Sequence, residues 1–172
     1  MLLTNKQIKK FNKEFDKNQK QADFGKFKFI IVLDNLKTTY NIGKIIRSAH
    51  CLGAFEVHLI GTKEFNVSPA KGAFKYTKCL FFNKFKDSYT YLIENQYNIF
   101  ALHPDNGLKL GVDKLPLKTA FVCGHEEYGF SFPIFEFNHV KPLNINQVGS
   151  TQSLNASVAT SIAMYEYVRQ YQ

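Results

Sequence analysis

Apolar and polar positions alternate along the chain with two different periods. The run Phe29-Ile30-Ile31-Val32-Leu33 is continuous, apolar and β-branched, as a strand buried on both faces must be. Similar runs follow at residues 56–60, 78–82, 98–102, 119–123 and 139–143. Between them the apolar residues fall at helical spacing. Ile8, Phe11 and Phe15 predict a first helix over residues 5–20, and Ile42, Ile45, Ile46, Ala49 and Leu52 predict a second over 41–52. A third is expected around residues 87–94. In the last thirty residues Leu154, Val158, Ile162, Tyr165 and Val168 recur at helical spacing after a polar loop. This order predicts an α/β domain with a mainly parallel sheet and flanking helices. Ligands bind beyond the carboxyl ends of such strands, so the loops after Leu33, Leu102, Cys123 and Leu143 are the places to search.

Three of these loops carry chemistry. The loop after Leu143 is dense in Asn, Gln, Ser and Thr, and places Ser153 and Asn155 where the C-terminal helix starts. A helix start offers free N–H groups and the positive end of the dipole to an anion. It equally suits a plain N-cap. Ala156, Ser157 and Ala159 are small enough to admit another backbone or a flat ligand. In the second helix Arg47 lies nearly opposite the apolar stripe, at about 100° per residue, and therefore points away from the sheet. Gly43, four residues earlier on the same face, leaves a notch beside it, and Asn41 stands at the helix start. An arginine beside an open notch suits a phosphate. After Cys123 the sequence GHEEYG brackets Glu126 and Glu127 with Gly124 and Gly129. By itself this segment fits a turn with solvated glutamates as well as a ligand loop.

Composition narrows the setting. A chain of 172 residues with 45% hydrophobic content fits one domain with a full core. No apolar run approaches the roughly 20 residues of a membrane span, so no membrane partner is expected. Cys51, Cys79 and Cys123 are odd in number and widely spaced, and no His or Cys pair has metal-ligand spacing. A reducing cytoplasm, no disulfide and no metal follow as expectations. The net charge of +8 is uneven: residues 1–28 hold eight lysines against Glu14, Asp16 and Asp23. A basic helical extension over 1–28, ahead of a domain over 29–172, suggests either a polyanionic partner or a solvated helix face.

Taken together, NxxxTxNIGxIxRSAxxxG from Asn35, GxExxG from Gly124 and GxxxSLNxSVA from Gly149 occur in order at strand ends. In this the chain resembles the SpoU (TrmH-like) family of RNA ribose 2′-O-methyltransferases, in the SPOUT superfamily. The resemblance covers roughly residues 29–172. It implies a C-terminal trefoil knot, S-adenosyl-L-methionine as cofactor, tRNA or rRNA rather than DNA as substrate, and a homodimer whose interface contains the C-terminal helix. It also assigns residues. Arg47 matches the arginine implicated in activating the ribose hydroxyl, Asn41 an asparagine on the RNA side, Glu126 the second-motif glutamate, and Ser153 with Asn155 the third-motif pair. Gly124, Ile145 and Leu154 fall where the family contacts the methyl donor, and Leu102 is the expected further contact. Asn146 and Gln147 stand where the family commonly has Pro-Met, which alters loop stiffness and pocket polarity. Two other readings stay open: an RNA-binding protein of this fold without methyl transfer, and an unrelated nucleotide-binding α/β domain, perhaps a hydrolase using Glu126 or Glu127.

Overall fold

The computed structural model describes residues 3–150 and 152–172. Seven strands form one sheet: β1 (Phe29–Asp34), β2 (Glu56–Ile60), β3 (Cys79–Phe82), β4 (Asn98–Leu102), β5 (Leu108–Lys109), β6 (Thr119–Cys123) and β7 (Val140–Asn144). Their order is β3-β2-β1-β6-β4-β7-β5, and every pairing is parallel. Four helices accompany them: α1 (Asn5–Gln21), α2 (Asn41–Cys51), α3 (Phe85–Glu94) and α4 (Ala156–Tyr171). The predicted strands and helices are all present within one or two residues at their ends. β5 had no signal, because two residues cannot show a period.

The centre of the sheet is β1, buried along its whole length. Its side chains alternate between two cores, as the pleat requires. Phe29, Ile31 and Leu33 face a layer built with Phe11 of α1, Ile42, Ile45 and Ile46 of α2, and Met164 and Tyr167 of α4. Ile30 and Val32 face the other side, where Phe85 and Leu92 of α3 close the core. Burying such a side chain contributes about 1.5–3 kcal/mol each, so β1 organises both layers.

Register sets the height of the loops. Leu33 pairs with Cys123, and Leu102 with Leu143. The chain therefore leaves β1, β6, β4 and β7 along one edge. The strand order also reverses here: β1 leads outward to β2 and β3, while its other neighbour, β6, arrives from later in the chain. Such a switch point leaves a crevice between diverging loops.

Candidate active site

At the crevice between β1 and β6, the start of α2 meets the loop after β6. Asn41 Nδ2 donates to Glu126 Oε1 at 2.6 Å, and the Lys37 backbone N–H donates to Glu126 Oε2 at 3.3 Å. The adjacent Glu127 takes the Lys37 ammonium at the surface; that hydrogen bond lowers the Glu127 carboxyl below its usual range and raises Lys37. The loop itself is a tight turn. His125 and Gly129 exchange two backbone hydrogen bonds at 2.7 and 3.0 Å, and Gly129 has φ +71°, which favours glycine. His125 Nδ1 accepts from Glu127 N and Tyr128 N at 3.0 and 3.3 Å. At Gly124 a Cβ would come within 2.8 Å of the Gly129 carbonyl carbon. The small residue there seats the turn against itself.

The turn is anchored by Asp34, at the end of β1, which sequence reasoning missed. Its carboxylate accepts from Ser131 N at 2.6 Å and Ser131 Oγ at 2.7 Å. Burial raises the Asp34 carboxyl above its usual range, with the two Ser131 bonds pulling the other way. An acidic residue directly after five apolar ones was the available signal.

The chain after β7 builds a second part of the site. Leu102, Ile145, Ser153 and Leu154, from three separate stretches, line one narrow cavity of about 60 Å³, together with His103 and Gln147. Gly124 does not line it. Asn155 is the N-cap of α4, its Oδ1 accepting from Ser157 N at 3.0 Å and Ser157 Oγ at 2.7 Å. Ser153 stands exposed two residues upstream. Apolar walls with a few polar groups suit a nucleoside-type ligand, but such ligands occupy pockets of about 300 Å³ or more. A nucleoside placed there would extend beyond the cavity as it stands. His103 is the other residue missed. Its Nδ1 accepts from Asp105 N and Asn106 N, both at 3.2 Å, so the neutral ring carries its proton on Nε2.

Arg47 lies in a wider neighbouring groove of about 650 Å³ between α2 and α4, lined also by Lys44, Cys51, Pro69, Ser157, Ile162 and Tyr165. Arg47 is exposed, on the face of α2 away from the sheet, as its position opposite the stripe predicted. One expectation changes here. The space at Gly43 holds the protein's own chain: a Cβ there would meet Asn66 O at 3.0 Å, Ala70 N at 3.1 Å and Pro69 Cβ at 3.2 Å. It is no ligand notch. Of the apolar residues that recur at helical spacing in the C-terminal segment, all but Val168 face outward. Leu154, Val158, Ile162 and Tyr165 are exposed, and α4 packs inward through Ser157, Thr160, Ala163, Met164, Tyr167 and Val168. Its small residues permit a close approach to α2, where Ser161 Oγ donates to Ser48 Oγ at 3.0 Å.

Comparison with known proteins gives this arrangement a lineage. The chain is 29% identical over 177 residues to the tRNA (guanosine(18)-2′-O)-methyltransferase of Aquifex aeolicus, covering 98% of this chain and 79% of that protein. It is 26% identical over 146 residues to the enzyme of the same name from Escherichia coli K12, covering 83% and 63%. It spans 62% of the length of a Staphylococcus epidermidis relative named for the TrmH family of tRNA/rRNA methyltransferases, and is 27% identical to it over 158 residues, 88% of this chain. The crystal structure of the A. aeolicus TrmH/SpoU tRNA modifying enzyme superposes with a TM-score of 0.75 at 24% identity, covering 94% of this chain and 82% of that one. The AdoMet complex of AviRb from Streptomyces viridochromogenes gives 0.74 at 21%, covering 86% and 58%. The model of the SpoU rRNA Methylase family matches residues 28–165, a span that holds the Asn41–Glu126 contact, the Arg47 groove and the cavity of Leu102, Ile145 and Leu154. The chain belongs to that family.

Proposed function

We propose that the chain methylates a ribose 2′-hydroxyl in tRNA or rRNA, using S-adenosyl-L-methionine, in the cytoplasm and as a homodimer. The observation that carries this reading is the convergence of Leu102, Ile145, Ser153 and Leu154 on one cavity, beside a groove that exposes Arg47. The methyl donor supplies an electrophilic carbon. Leu102, Ile145 and Leu154 form its walls, Gly124 acts by letting the β6 turn close beside it, and Ser153 and Gln147 offer polar groups.

The chain's own residues then handle the hydroxyl. A ribose hydroxyl is a poor nucleophile at neutral pH, and much of the acceleration comes from alignment. Arg47 stays protonated. It clamps the adjacent phosphate and stabilises the oxygen as its proton leaves to the phosphate or a second group. Asn41 and Glu126 hold the start of α2 against the β6 turn, and Asn155 fixes the first turn of α4, which borders both depressions.

The exposed stripe of Val158, Ile162 and Tyr165 on α4 supports the homodimer, since a second copy would cover it and contribute to the site. The return of α4 from β7 to α2 and β6 is consistent with a knotted C-terminus. Calorimetric titration with S-adenosyl-L-methionine tests the reading, followed by ribose-methylation mapping on bulk tRNA with Arg47→Lys. Micromolar binding weakened by Asn155→Ala, with methylation cut roughly 10²-fold or more in Arg47→Lys, is the expected result. Absence of donor binding would favour an RNA-binding protein without methyl transfer, with Gln147 in the cavity as the physical cause.

A further inference from the structure

α1 carries Lys6, Lys9, Lys10, Lys13, Lys17 and Lys20, all exposed. At about 100° per residue they fall in one stripe about 100° wide. The opposite face holds buried Phe11 and Asn18, with Phe15 packed against the core. Among the described residues none of the six lysines is in an ion pair with a carboxylate. Lysines four apart on this stripe repel one another. The helix therefore presents a row of positive charge along about 21 Å, flanked on the same helix by Asp16 and buried Glu14.

Both ends of that row lead somewhere. Near its start, Lys10 Nζ donates to Ser68 Oγ at 3.2 Å, and the next residue, Pro69, lines the groove of Lys44 and Arg47. At its far end, Asn18 Nδ2 donates to Thr77 O at 2.7 Å and Asp23 bridges to Thr77, which brings the chain to the amino-terminal edge of the sheet. There Phe24 stacks on Phe55 with centroids 4.4 Å apart and planes 14° apart. Lys28 Nζ sits 4.5 Å from the Phe55 ring and Lys78 Nζ 5.7 Å from the Phe24 ring. Phe24 is 51% exposed.

We infer that α1 and the Phe24–Phe55 stack form a track for single-stranded RNA leading away from the Arg47 groove, with phosphates along the lysine stripe and a base against Phe24. The inference rests on the RNA reading above and deepens it. Lysines are point charges that hold a phosphate backbone without reading sequence, and an aromatic face stacks any base. A membrane surface is the poorer fit, because the apolar face of α1 is already buried in the core and has nothing to insert.

The test is fluorescence anisotropy with a labelled mixed-sequence single-stranded RNA, and with a duplex RNA of equal length, across a salt series. Replacing Lys9, Lys13 and Lys17 by Gln is expected to reduce the slope of log K against log salt by about 2, at roughly 0.7 per phosphate contact on a single strand. Phe24→Ala is expected to weaken single-strand binding roughly 5- to 100-fold with little change in slope, and to leave duplex binding alone. A control with Lys63, Lys84 and Lys86 replaced by Gln should keep the wild-type slope. The inference is overturned if the α1 variant binds as wild type, if the control loses as much slope, or if Phe24→Ala leaves single-strand affinity intact. Circular dichroism confirms that each variant is folded. Donor binding by calorimetry separates the two readings: it should be unchanged in the α1 and Phe24 variants, and its absence in the wild type would remove methyl transfer while leaving the track standing.

Discussion

Two glutamate–histidine clusters in this molecule use the same residue types in opposite ways. On β2, fully buried His58 has Nε2 3.0 Å from Glu56 Oε1 and Nδ1 2.7 Å from Ser88 Oγ of α3. By composition this is a Ser–His–Glu arrangement fit for nucleophilic catalysis, yet all three residues are 0% exposed. Nothing can reach them. At the other cluster, His125 Nδ1 lies 4.0 Å from Glu126 Oε2 at an open strand end, and backbone N–H groups orient both side chains. The buried cluster ties α3 to the sheet; the open one positions the start of α2. Access, rather than the residues' own chemistry, separates the two clusters.

The largest effect expected from breaking this contrast is at the buried cluster. His58→Ala leaves a buried Glu56 oxygen without its hydrogen-bond partner and a cavity in place of the ring, together costing about 3–5 kcal/mol. Urea denaturation should show that loss, while the folded fraction keeps its affinity for the methyl donor within a factor of about two. The open cluster should respond the other way round. Glu126→Ala removes the acceptor of Asn41 and of the Lys37 N–H, costing about 1–1.5 kcal/mol of stability. It should lower methyl transfer roughly 10²-fold by misplacing the start of α2. Equal stability losses in the two variants would erase the distinction.

How far the sequence reveals these features follows from the range over which each is determined. Strand runs and helical stripes are local, so six strands and four helices were legible. The three motifs were legible because the residues they need are adjacent in the chain. The Asn41–Glu126 contact spans 85 positions, and a period carries no information about it. The orientation of α4 is a further feature that period alone leaves open. Its regularly spaced Leu154, Val158, Ile162 and Tyr165 mark an exposed outer face, while Ser157, Thr160, Ala163, Met164, Tyr167 and Val168 pack inward. Gly43 misled because the chain that fills its space lies more than twenty residues later.

Smaller effects sharpen the comparison at single side chains. His103 lines the cavity proposed for the donor, so losing both its wall and its polar edge in His103→Ala should weaken donor binding about tenfold by calorimetry. In His103→Asn the amide oxygen can still accept from Asp105 N and Asn106 N, so the turn is kept. Affinity should nonetheless fall about fivefold, since the Nε2–H donor is gone, a loss near 1 kcal/mol. Wild-type affinity in His103→Asn would reduce the residue to a turn cap.

The smallest effect concerns Asp34. Because burial raises its folded-state carboxyl, the fold holds that proton more tightly than the unfolded chain does. Its contribution to stability is fully present below the ordinary carboxylate pKa of about 3.9 and is lost as pH rises through the raised value. Asp34→Asn, which keeps an acceptor for Ser131 N, should flatten the stability profile from about pH 4 upward. Thermal melts across that range measure the change.

The three cysteines are unequally placed. Cys79 and Cys123 are buried, and burial pushes both thiols up, Cys123 to about 11. Cys51 alone is exposed, on the wall of the groove that holds Arg47. An environment-sensitive dye coupled to that native thiol would report, by its emission, on whatever enters or covers the groove. The molecule thus carries its own labelling position in the groove of Arg47, and no engineered cysteine is needed.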